Sequence, residues 1–371
     1  MSDQGEIRVQ ALEIATAWSR EDCPEPWRLT AALYRLIAEH HGLLAMLTEL
    51  PADRLPPLLA GAAIRFLVGR DQPEPLARYF PQPGLPQPPF DDGFEPAAAA
   101  FVSDNLGEIR ELCRSHRFQM NEVARYAQIA LGIAAVASPA TGPIALVDLG
   151  TGAGLGLQLD RYRYQLGGTS TGPADGLSVM CELRGERQPP LPELPLIESR
   201  VGIDVDPVDL RDQGARAWLV ACAPPEASAL SRLTAAIKVA QQHPARIVAG
   251  DVVAALPGVL ASLPPSLPVL VTDAYLAVFL PPAQRAMLFE VLADAARSRP
   301  VTWLSLDPLV PLGSAGRDSV QGIHLPDFLI DDYQQKGLFA ILGARTFDRG
   351  REAGQLLARA HPSGQWVEWL S

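Results

Sequence analysis

The feature that most constrains the fold is a short apolar run that ends in three glycines at alternating positions. The run Ile144–Leu149 leads directly into Gly150, Gly152 and Gly154. Apolar runs of this length are typical of buried strands, and glycine tolerates the positive φ angles that a sharp turn requires. Because an apolar, helix-compatible segment follows, we expect a strand, a tight turn and then a helix whose N-terminal N–H groups face the turn.

The spacing of these glycines distinguishes between several nucleotide-binding motifs. The dinucleotide pattern G-x-G-x-x-G needs a third glycine where this chain has Leu155 or Leu157. No Gly-Lys-Ser/Thr follows, which excludes a Walker A loop. An acidic residue precedes the turn at Asp148, so the pattern is an acidic G-x-G-x-G turn that includes Thr151. A purely structural turn remains the alternative.

Composition limits the class of protein. The chain has 371 residues, is 48% hydrophobic and carries a formal net charge of −11. This length predicts two domains, or one domain with a large extension. The negative charge opposes binding to nucleic acid. We see no signal peptide and no apolar run long enough for a membrane span, so we expect a cytoplasmic protein. The four cysteines and six histidines have no metal-ligand spacing, so no metal is expected.

The chain divides into two parts by pattern. Residues 1–140 predict a helical N-terminal cap, because apolar residues recur at intervals of three and four, and residues 72–96 form a proline-rich connector within it. Residues 141–371 predict strands alternating with helices, the pattern of a mostly parallel sheet, with an insertion at 162–195. The expected strands are Ile144–Leu149, Arg200–Asp204, Arg246–Ala249, Val269–Thr272, Val301–Leu306, Phe339–Thr346, Gln355–Ala360 and Trp366–Leu370, with an extra strand at Val179–Arg184.

Acidic residues follow most of these strands, where ligands bind in open α/β sheets. A carboxylate after the second strand, Asp204 or Asp206, suits the ribose hydroxyls of a nucleoside. Asp251 suits the exocyclic amine of adenine, and the Val252 N–H suits a ring nitrogen. The alternative is that each aspartate is a turn residue or a helix N-cap, which are positions that favour Asp in any protein.

The catalytic edge is expected after the fourth strand, at Asp273 and Tyr275. Asp273 is a candidate general base, and Tyr275 a candidate for closing over a cationic ligand. The alternatives are a cap and a core aromatic residue. The segment Gly168–Gly172 matches the G-x-S-x-G nucleophile elbow around Ser170, but it lies in a loop-like sequence without the required strand and helix.

A polar cluster precedes the first strand of the sheet. We expect a helix from Arg117 to Arg125, with Arg117 and Asn121 facing the substrate. The charged and aromatic segment Asp160–Tyr164 follows the glycine turn, so Tyr164 is a further candidate for the substrate pocket. A solvated Glu122–Arg125 pair, and packing of the insertion by Tyr164, are the alternatives.

The sequence as a whole resembles a bacterial family known as domain of unknown function 2332. The likeness is carried by Tyr79-Phe80, Arg117 with Asn121-Glu122, Asp148–Leu155, Asp160–Tyr164, Gly202–Asp209, Gly250-Asp251 and Leu280–Pro282. The glycine turn also resembles the first motif of class I S-adenosylmethionine-dependent methyltransferases. That resemblance implies a Rossmann-like, seven-stranded and mostly parallel sheet with an antiparallel terminal strand.

The implied function is methyl transfer from S-adenosylmethionine to a small or peptide-like acceptor. The implied cofactor-binding residues are Asp148, Gly150, Thr151, Gly152, Gly154, Asp204, Asp206, Asp251 and Val252. Two other functions stay open: a nicotinamide-dependent oxidoreductase, and a non-catalytic nucleoside-binding or scaffold protein on the same fold.

Overall fold

The computed structural model describes residues 3–19, 27–308, 319–336 and 339–371. Contacts divide the chain into two compact units, one made of residues 1–121 and 208–235, the other of residues 122–207 and 236–371. The helices are α1 Gln4–Ala17, α2 Trp27–Glu39, α3 His41–Leu47, α4 Pro56–Asp71, α5 Phe94–Asp104, α6 Leu106–Ser115, α7 Arg125–Val136, α8 Gln213–Cys222, α9 Ala227–Gln242, α10 Val252–Ser262, α11 Pro282–Ala295 and α12 Asp327–Lys336.

The first unit is helical, as its apolar spacing predicts. Leu33 and Ile37 of α2 are fully buried with the inner faces of α1, α3 and α4, and Trp218 of α8 joins the same core. The proline-rich connector contains one short 3₁₀ turn, Leu76–Tyr79, whose first and last residues are buried. The connector is therefore anchored where its apolar residues lie.

The second unit is built on one large sheet. Its strands are β1 Ile144–Leu149, β2 Tyr162–Leu166, β3 Thr169–Thr171, β4 Leu177–Arg184, β5 Ile197–Asp204, β6 Arg246–Ala249, β7 Val269–Ala274, β8 Val301–Pro308, β11 Ala340–Asp348, β12 Arg351–Ala360 and β13 Trp366–Trp369, and the two-residue strands β9 Ser319–Val320 and β10 Ile323–His324 pair separately. All eight strands expected in the core of the sheet, and the extra strand in the insertion, are confirmed.

The sheet is mixed but mostly parallel. Within the described residues eleven strands pair in the order β3-β2-β4-β13-β12-β11-β8-β7-β1-β5-β6. The run from β8 to β6 is parallel, whereas β11 pairs antiparallel with β8 and β12 antiparallel with β11. The expectation of seven strands is wrong: eight strands run from β13 to β6, and the insertion adds β2, β3 and β4, because β13 pairs in parallel with β4.

Helix α7 packs on this sheet rather than within the first unit. It contacts β4, β8 and β11. Gln128, which is fully buried, donates from Nε2 to the carbonyls of His361 and Trp366 at 3.0 and 2.9 Å. The sequence places the domain boundary near residue 140, but the contacts divide the chain between Asn121 and Glu122, because the apolar face of α7 is buried against strands.

Two predicted helices are absent from the described residues. The glycine turn leads into a six-residue 3₁₀ segment, Gly156–Arg161, instead of an α-helix. Asp160 fixes this segment to the sheet, because its carboxylate accepts two hydrogen bonds from Arg200 of β5 at 2.8 Å. The predicted helix over 117–125 is also wrong, because α7 begins only at Arg125, residues 117–122 form no helix, and Val123 and Ala124 form a turn.

Candidate functional site

The strand order of the sheet reverses at β1. From β1 the chain adds β5 and then β6 on one side, and β7 and then β8 on the other. The carboxyl ends of neighbouring parallel strands meet at one edge, and the crevice outside this edge at a reversal is where open α/β sheets bind ligands. Leu149 of β1 lies in register between Ile203 of β5 and Asp273 of β7. The candidate site is built at this edge.

The glycine turn at the end of β1 adopts the backbone that its sequence requires. Gly150, Gly152 and Gly154 have φ angles of +68°, +54° and +72°, in the left-handed region that side chains with a Cβ rarely adopt. The Gly150 N–H donates to the carbonyl of Ile203 at 2.8 Å. The turn therefore folds over the end of β5, which lies beside it in the sheet.

Asp204, the last residue of β5, holds the glycine turn. Its Oδ2 accepts from the Gly152 N–H at 2.7 Å, and its Oδ1 accepts from the Asp206 N–H at 2.8 Å. The residue is only 8% exposed. Each carboxylate oxygen has two acceptor positions, so the group retains capacity for further donors. Asp206 itself is exposed at the same edge.

Asp148 is a buried carboxyl group bracketed by two hydroxyl groups. Its Oδ2 accepts from Thr151 Oγ1 at 2.7 Å, and its Oδ1 accepts from Thr272 Oγ1 at 2.8 Å. Burial raises the pKa of Asp148 to about 6, and the nearby Asp204 acts in the same direction. The hydroxyl hydrogen bonds oppose this rise. Asp148 thus connects the glycine turn with β7.

Asp251 acts as an N-cap of α10. Its Oδ1 accepts from the Val253 and Ala254 N–H groups at 3.0 and 2.9 Å, and Gln284 Nε2 approaches its Oδ2 at 3.4 Å. The structure therefore gives this carboxylate the capping role that the alternative interpretation assigned to it. Val252 is the first residue of α10 and is buried.

Asp273 lies in β7 with its carboxyl group buried. Its Oδ2 accepts from Trp303 Nε1 at 2.7 Å, and its Oδ1 accepts from Ser305 Oγ at 3.0 Å. The Ala277 N–H is a third donor. Burial raises the pKa of Asp273, and the carboxyl group of Asp307 raises it further. With both oxygens engaged, Asp273 fixes the segment that follows β7.

Asp307 of β8 fixes the same segment from the neighbouring strand. It is 2% exposed, and its Oδ1 accepts from the Val278 N–H at 2.9 Å. Asp273 and Asp307 therefore hold two successive backbone amides of the short turn Ala277–Phe279. Asp307 directly follows the expected strand Val301–Leu306, and the sequence analysis assigned it no role.

Tyr275 stands between this turn and β7 in a strained conformation. Its φ is +66°, in the left-handed region that is costly for a residue with an aromatic side chain. The guanidinium Cζ of Arg125 lies 3.7 Å from the centroid of its ring. Burial raises the pKa of Tyr275 to about 12, which keeps the hydroxyl protonated at neutral pH.

The start of α7 contributes Arg125, the last residue of the polar cluster expected from the sequence, and Tyr126, to which the sequence assigned no role in the site. Arg125 is 7% exposed and donates from Nε to the carbonyl of Pro362 at 2.6 Å. Tyr126 lies beside Asp148: a Cβ on Gly156 would come within 3.0 Å of Tyr126 Cε1 and 2.8 Å of Asp148 Oδ2. In the sequence, Arg125 ends a polar cluster and Tyr126 belongs to an apolar stripe, and neither pattern indicates a contact with the sheet edge.

Two of the candidate substrate residues, Arg117 and Asn121, belong to the first unit, and the third, Tyr164, lies within the sheet of the second. Arg117 is exposed, its carbonyl accepts from Trp218 Nε1 at 2.8 Å, and Asn121 is half-buried at the end of the first unit. Tyr164 is 1% exposed, and its hydroxyl donates to the carbonyl of Leu159 at 2.5 Å. Tyr164 is therefore a packing residue of β2.

The remaining candidates have structural surroundings. Ser170 lies on the short edge strand β3, where its Oγ accepts from Arg163 Nε at 2.7 Å, so the elbow geometry is not formed. Among the described residues, no three His, Cys, Asp or Glu side chains come together as metal ligands. In the same residues we find no helix that has both the length and the apolar character to cross a membrane.

These features define a mixed α/β protein whose strand order reverses at β1, the position at which open α/β sheets bind ligands. Residues 13–369 match the family described as "Uncharacterized protein conserved in bacteria (DUF2332)". The match covers nearly the whole chain, so this protein belongs to that family, as its sequence motifs predict. No curated protein matches the chain.

Proposed function

We propose that this protein is a Rossmann-like methyltransferase of the class I type that transfers a methyl group from S-adenosylmethionine to a small or peptide-like acceptor. The observation that carries the proposal is the hydrogen bond between Gly152 and Asp204. It sets a glycine turn with three positive φ angles against the carboxylate at the end of the next strand, at the reversal of strand order.

The residues at this edge fit a nucleoside with a charged tail. Asp204 keeps acceptor positions for two ribose hydroxyls, and the glycines of the turn carry no side chain of their own that would block a ligand. Asp251 Oδ2 caps no backbone N–H of α10 and is approached by Gln284 Nε2 at 3.4 Å, and it is the oxygen that would accept from an adenine amine. The Val252 N–H would bind a ring nitrogen, and Asp206 lies exposed beside Asp204.

When bound, S-adenosylmethionine supplies a methyl group on a sulfonium centre. The chain's own part is to hold and orient the two reactants. Asp148, with Thr151 and Thr272, fixes the glycine turn relative to β7. Asp273 accepts hydrogen bonds from Trp303 and Ser305, and its role in the proposal is that of a positioning residue that fixes the segment containing Tyr275.

A binding experiment tests the proposal without a known acceptor. Calorimetric titration with S-adenosylhomocysteine, NAD⁺ and adenosine should give the tightest binding for S-adenosylhomocysteine. Asp204→Asn should weaken that binding by roughly 1–3 kcal/mol, the scale of charge-assisted hydrogen bonds. Asp209→Asn is the matched control, because Asp209 is paired locally with Arg211 by a hydrogen bond of 2.8 Å and should leave the affinity unchanged.

Gly152→Val tests the turn itself. The valine side chain would occupy the space of the ligand and abolish binding. Gly84→Val is the control, because Gly84 also has a positive φ, of +82°, with no atom within 4 Å of an added Cβ. Both variants carry a similar backbone strain of roughly 1–3 kcal/mol. Tighter binding of NAD⁺ than of S-adenosylhomocysteine, or no binding of either, would overturn the proposal.

A further inference from the structure

The hydroxyl group of Tyr275 is a buried polar group of the candidate site. Its oxygen is inaccessible to solvent and has no hydrogen-bond partner among the described residues. A buried hydroxyl without a partner is costly, and native proteins seldom keep one without a reason. The same residue has the strained φ of +66°. The unpaired hydroxyl group and the strained backbone both cost free energy. Their occurrence at one residue of the candidate ligand-binding edge indicates a functional constraint.

Leu276, the residue after Tyr275, touches the glycine turn, and a fixed positive charge lies over the Tyr275 ring. A Cβ on Gly150 would lie 3.2 Å from Leu276 Cδ1, so the residue next to Tyr275 touches the turn. Arg125 lies over the Tyr275 ring at 3.7 Å, and its hydrogen bond to the Pro362 carbonyl holds it in place. Ring and guanidinium are thus oriented before any ligand arrives.

A carboxylate is the group that suits both side chains. The protonated phenol of Tyr275 donates one hydrogen bond, and a guanidinium offers parallel N–H donors that match a carboxylate. The carboxyl groups of Asp273 and Asp307 lie close by, and Asp307 contributes to the electrostatics at Tyr275. Their negative charge disfavours the binding of a simple anion. It favours the binding of a zwitterion, because the ammonium group of the zwitterion compensates this charge.

We propose that Arg125 and Tyr275 bind the α-carboxylate of the amino-acid end of an S-adenosyl ligand whose nucleoside lies along the glycine turn. This inference rests on the proposed function and assigns two residues to one part of the ligand. It gives α7 a direct role in ligand binding, through a residue that precedes β1 in the chain.

Two probes separate this inference from the proposed function. S-adenosylhomocysteine has the amino-acid end, and 5′-methylthioadenosine is a nucleoside thioether without it. The wild-type protein should bind the first at least roughly tenfold more tightly than the second in calorimetric titration. Tyr275→Phe and Arg125→Gln should each lower the affinity for S-adenosylhomocysteine by about tenfold and leave that for 5′-methylthioadenosine unchanged. Arg184→Gln is the control, because Arg184 also stacks on an aromatic ring, at 4.9 Å from Trp366, on another strand.

Each result has a definite meaning. Equal binding of the two probes by the wild-type protein, or variants that keep its preference, would overturn the inference and leave the proposed function standing. Failure of both probes to bind would overturn both.

Stability of the ligand-free protein provides a second measurement. Because the Tyr275 hydroxyl is unsatisfied without ligand, Tyr275→Phe should raise the melting temperature, by roughly 2–4 °C. Tyr164→Phe is the matched control and should lower it, because the Tyr164 hydroxyl donates to the Leu159 carbonyl. A lower melting temperature for Tyr275→Phe would show that the hydroxyl has a partner within the protein and would overturn the inference.

Discussion

Asp148 shows how a single residue links the glycine turn to the rest of the sheet edge. Its two oxygens accept from hydroxyl groups on either side, Thr151 in the turn and Thr272 in β7. The sequence places this carboxylate at the end of a strand because an apolar run precedes it. The Thr272 contact joins residues 124 positions apart, so it depends on the pairing of β1 with β7 and is not visible in the local sequence.

The ionisation of Asp148 should make the protein less stable as the pH rises from 4 to 7. Its pKa is raised from 3.8 in the unfolded chain to about 6 in the folded protein, mainly by burial. The folded state therefore binds the proton more tightly over this window, and stability falls as the proton is lost. A shift of this size corresponds to roughly 3 kcal/mol at neutral pH.

Urea denaturation at several pH values, with Asp148→Asn beside the wild-type protein, measures this contribution. The amide cannot ionise and should reduce the fall in unfolding free energy between pH 4 and pH 7. The control Asp209→Asn should keep that fall, because Arg211 lowers the pKa of Asp209 to about 2, below the window. An unchanged pH dependence in Asp148→Asn would contradict the raised pKa.

At the scale of elements, strands were more predictable than helices. The strands of the parallel run were expected within a few residues of their observed bounds, because buried strands are nearly continuous apolar runs bounded by turn residues. The prediction of a helix after the glycine turn was wrong because tertiary contacts override the local sequence. Gly156 lies against Asp148 and Tyr126, and Asp160 is paired with Arg200, so the chain must turn early into β2.

Substitution of Asp251 tests where α10 begins. It also separates two roles of this residue, helix capping and ligand binding. As N-cap of α10 it satisfies two backbone N–H groups. Asp251→Ala should lower the free energy of unfolding by about 1 kcal/mol, whereas Asp251→Ser should keep most of the cap. Urea denaturation measures both variants. If serine restores stability but not S-adenosylhomocysteine affinity, the carboxylate also contacts the ligand; unchanged stability in Asp251→Ala would contradict the capping role.

At the scale of the whole molecule, two features of the packing could not be predicted from the sequence. They are the surface on which α7 packs and the strand with which the insertion pairs. The sequence assigned α7 to the helical cap because its apolar periodicity resembles that of the preceding helices. Periodicity shows that one face is buried but does not show against what. In the same way, the alternating pattern of β4 predicts a strand without identifying β13 as its partner. The candidate site includes Arg125 and Tyr126 of α7, so its full composition required the tertiary structure.

Gly132 in α7 is where this packing can be tested most directly. A Cβ at this position would lie 2.8 Å from Leu304 Cδ1 of β8 and 3.1 Å from Leu342 Cδ2 of β11. Gly132→Val should therefore lower the free energy of unfolding by roughly 1–3 kcal/mol through overpacking, and should speed amide hydrogen exchange in β8 and β11. Gly69→Val is the matched control, since Gly69 is also helical and has no atom within 4 Å of an added Cβ. Because valine is a slightly better helix former than glycine, the control should be neutral or slightly stabilising. Equal effects of the two substitutions would mean that α7 does not pack on these strands, and the contribution of Arg125 and Tyr126 to the site would lose its structural basis.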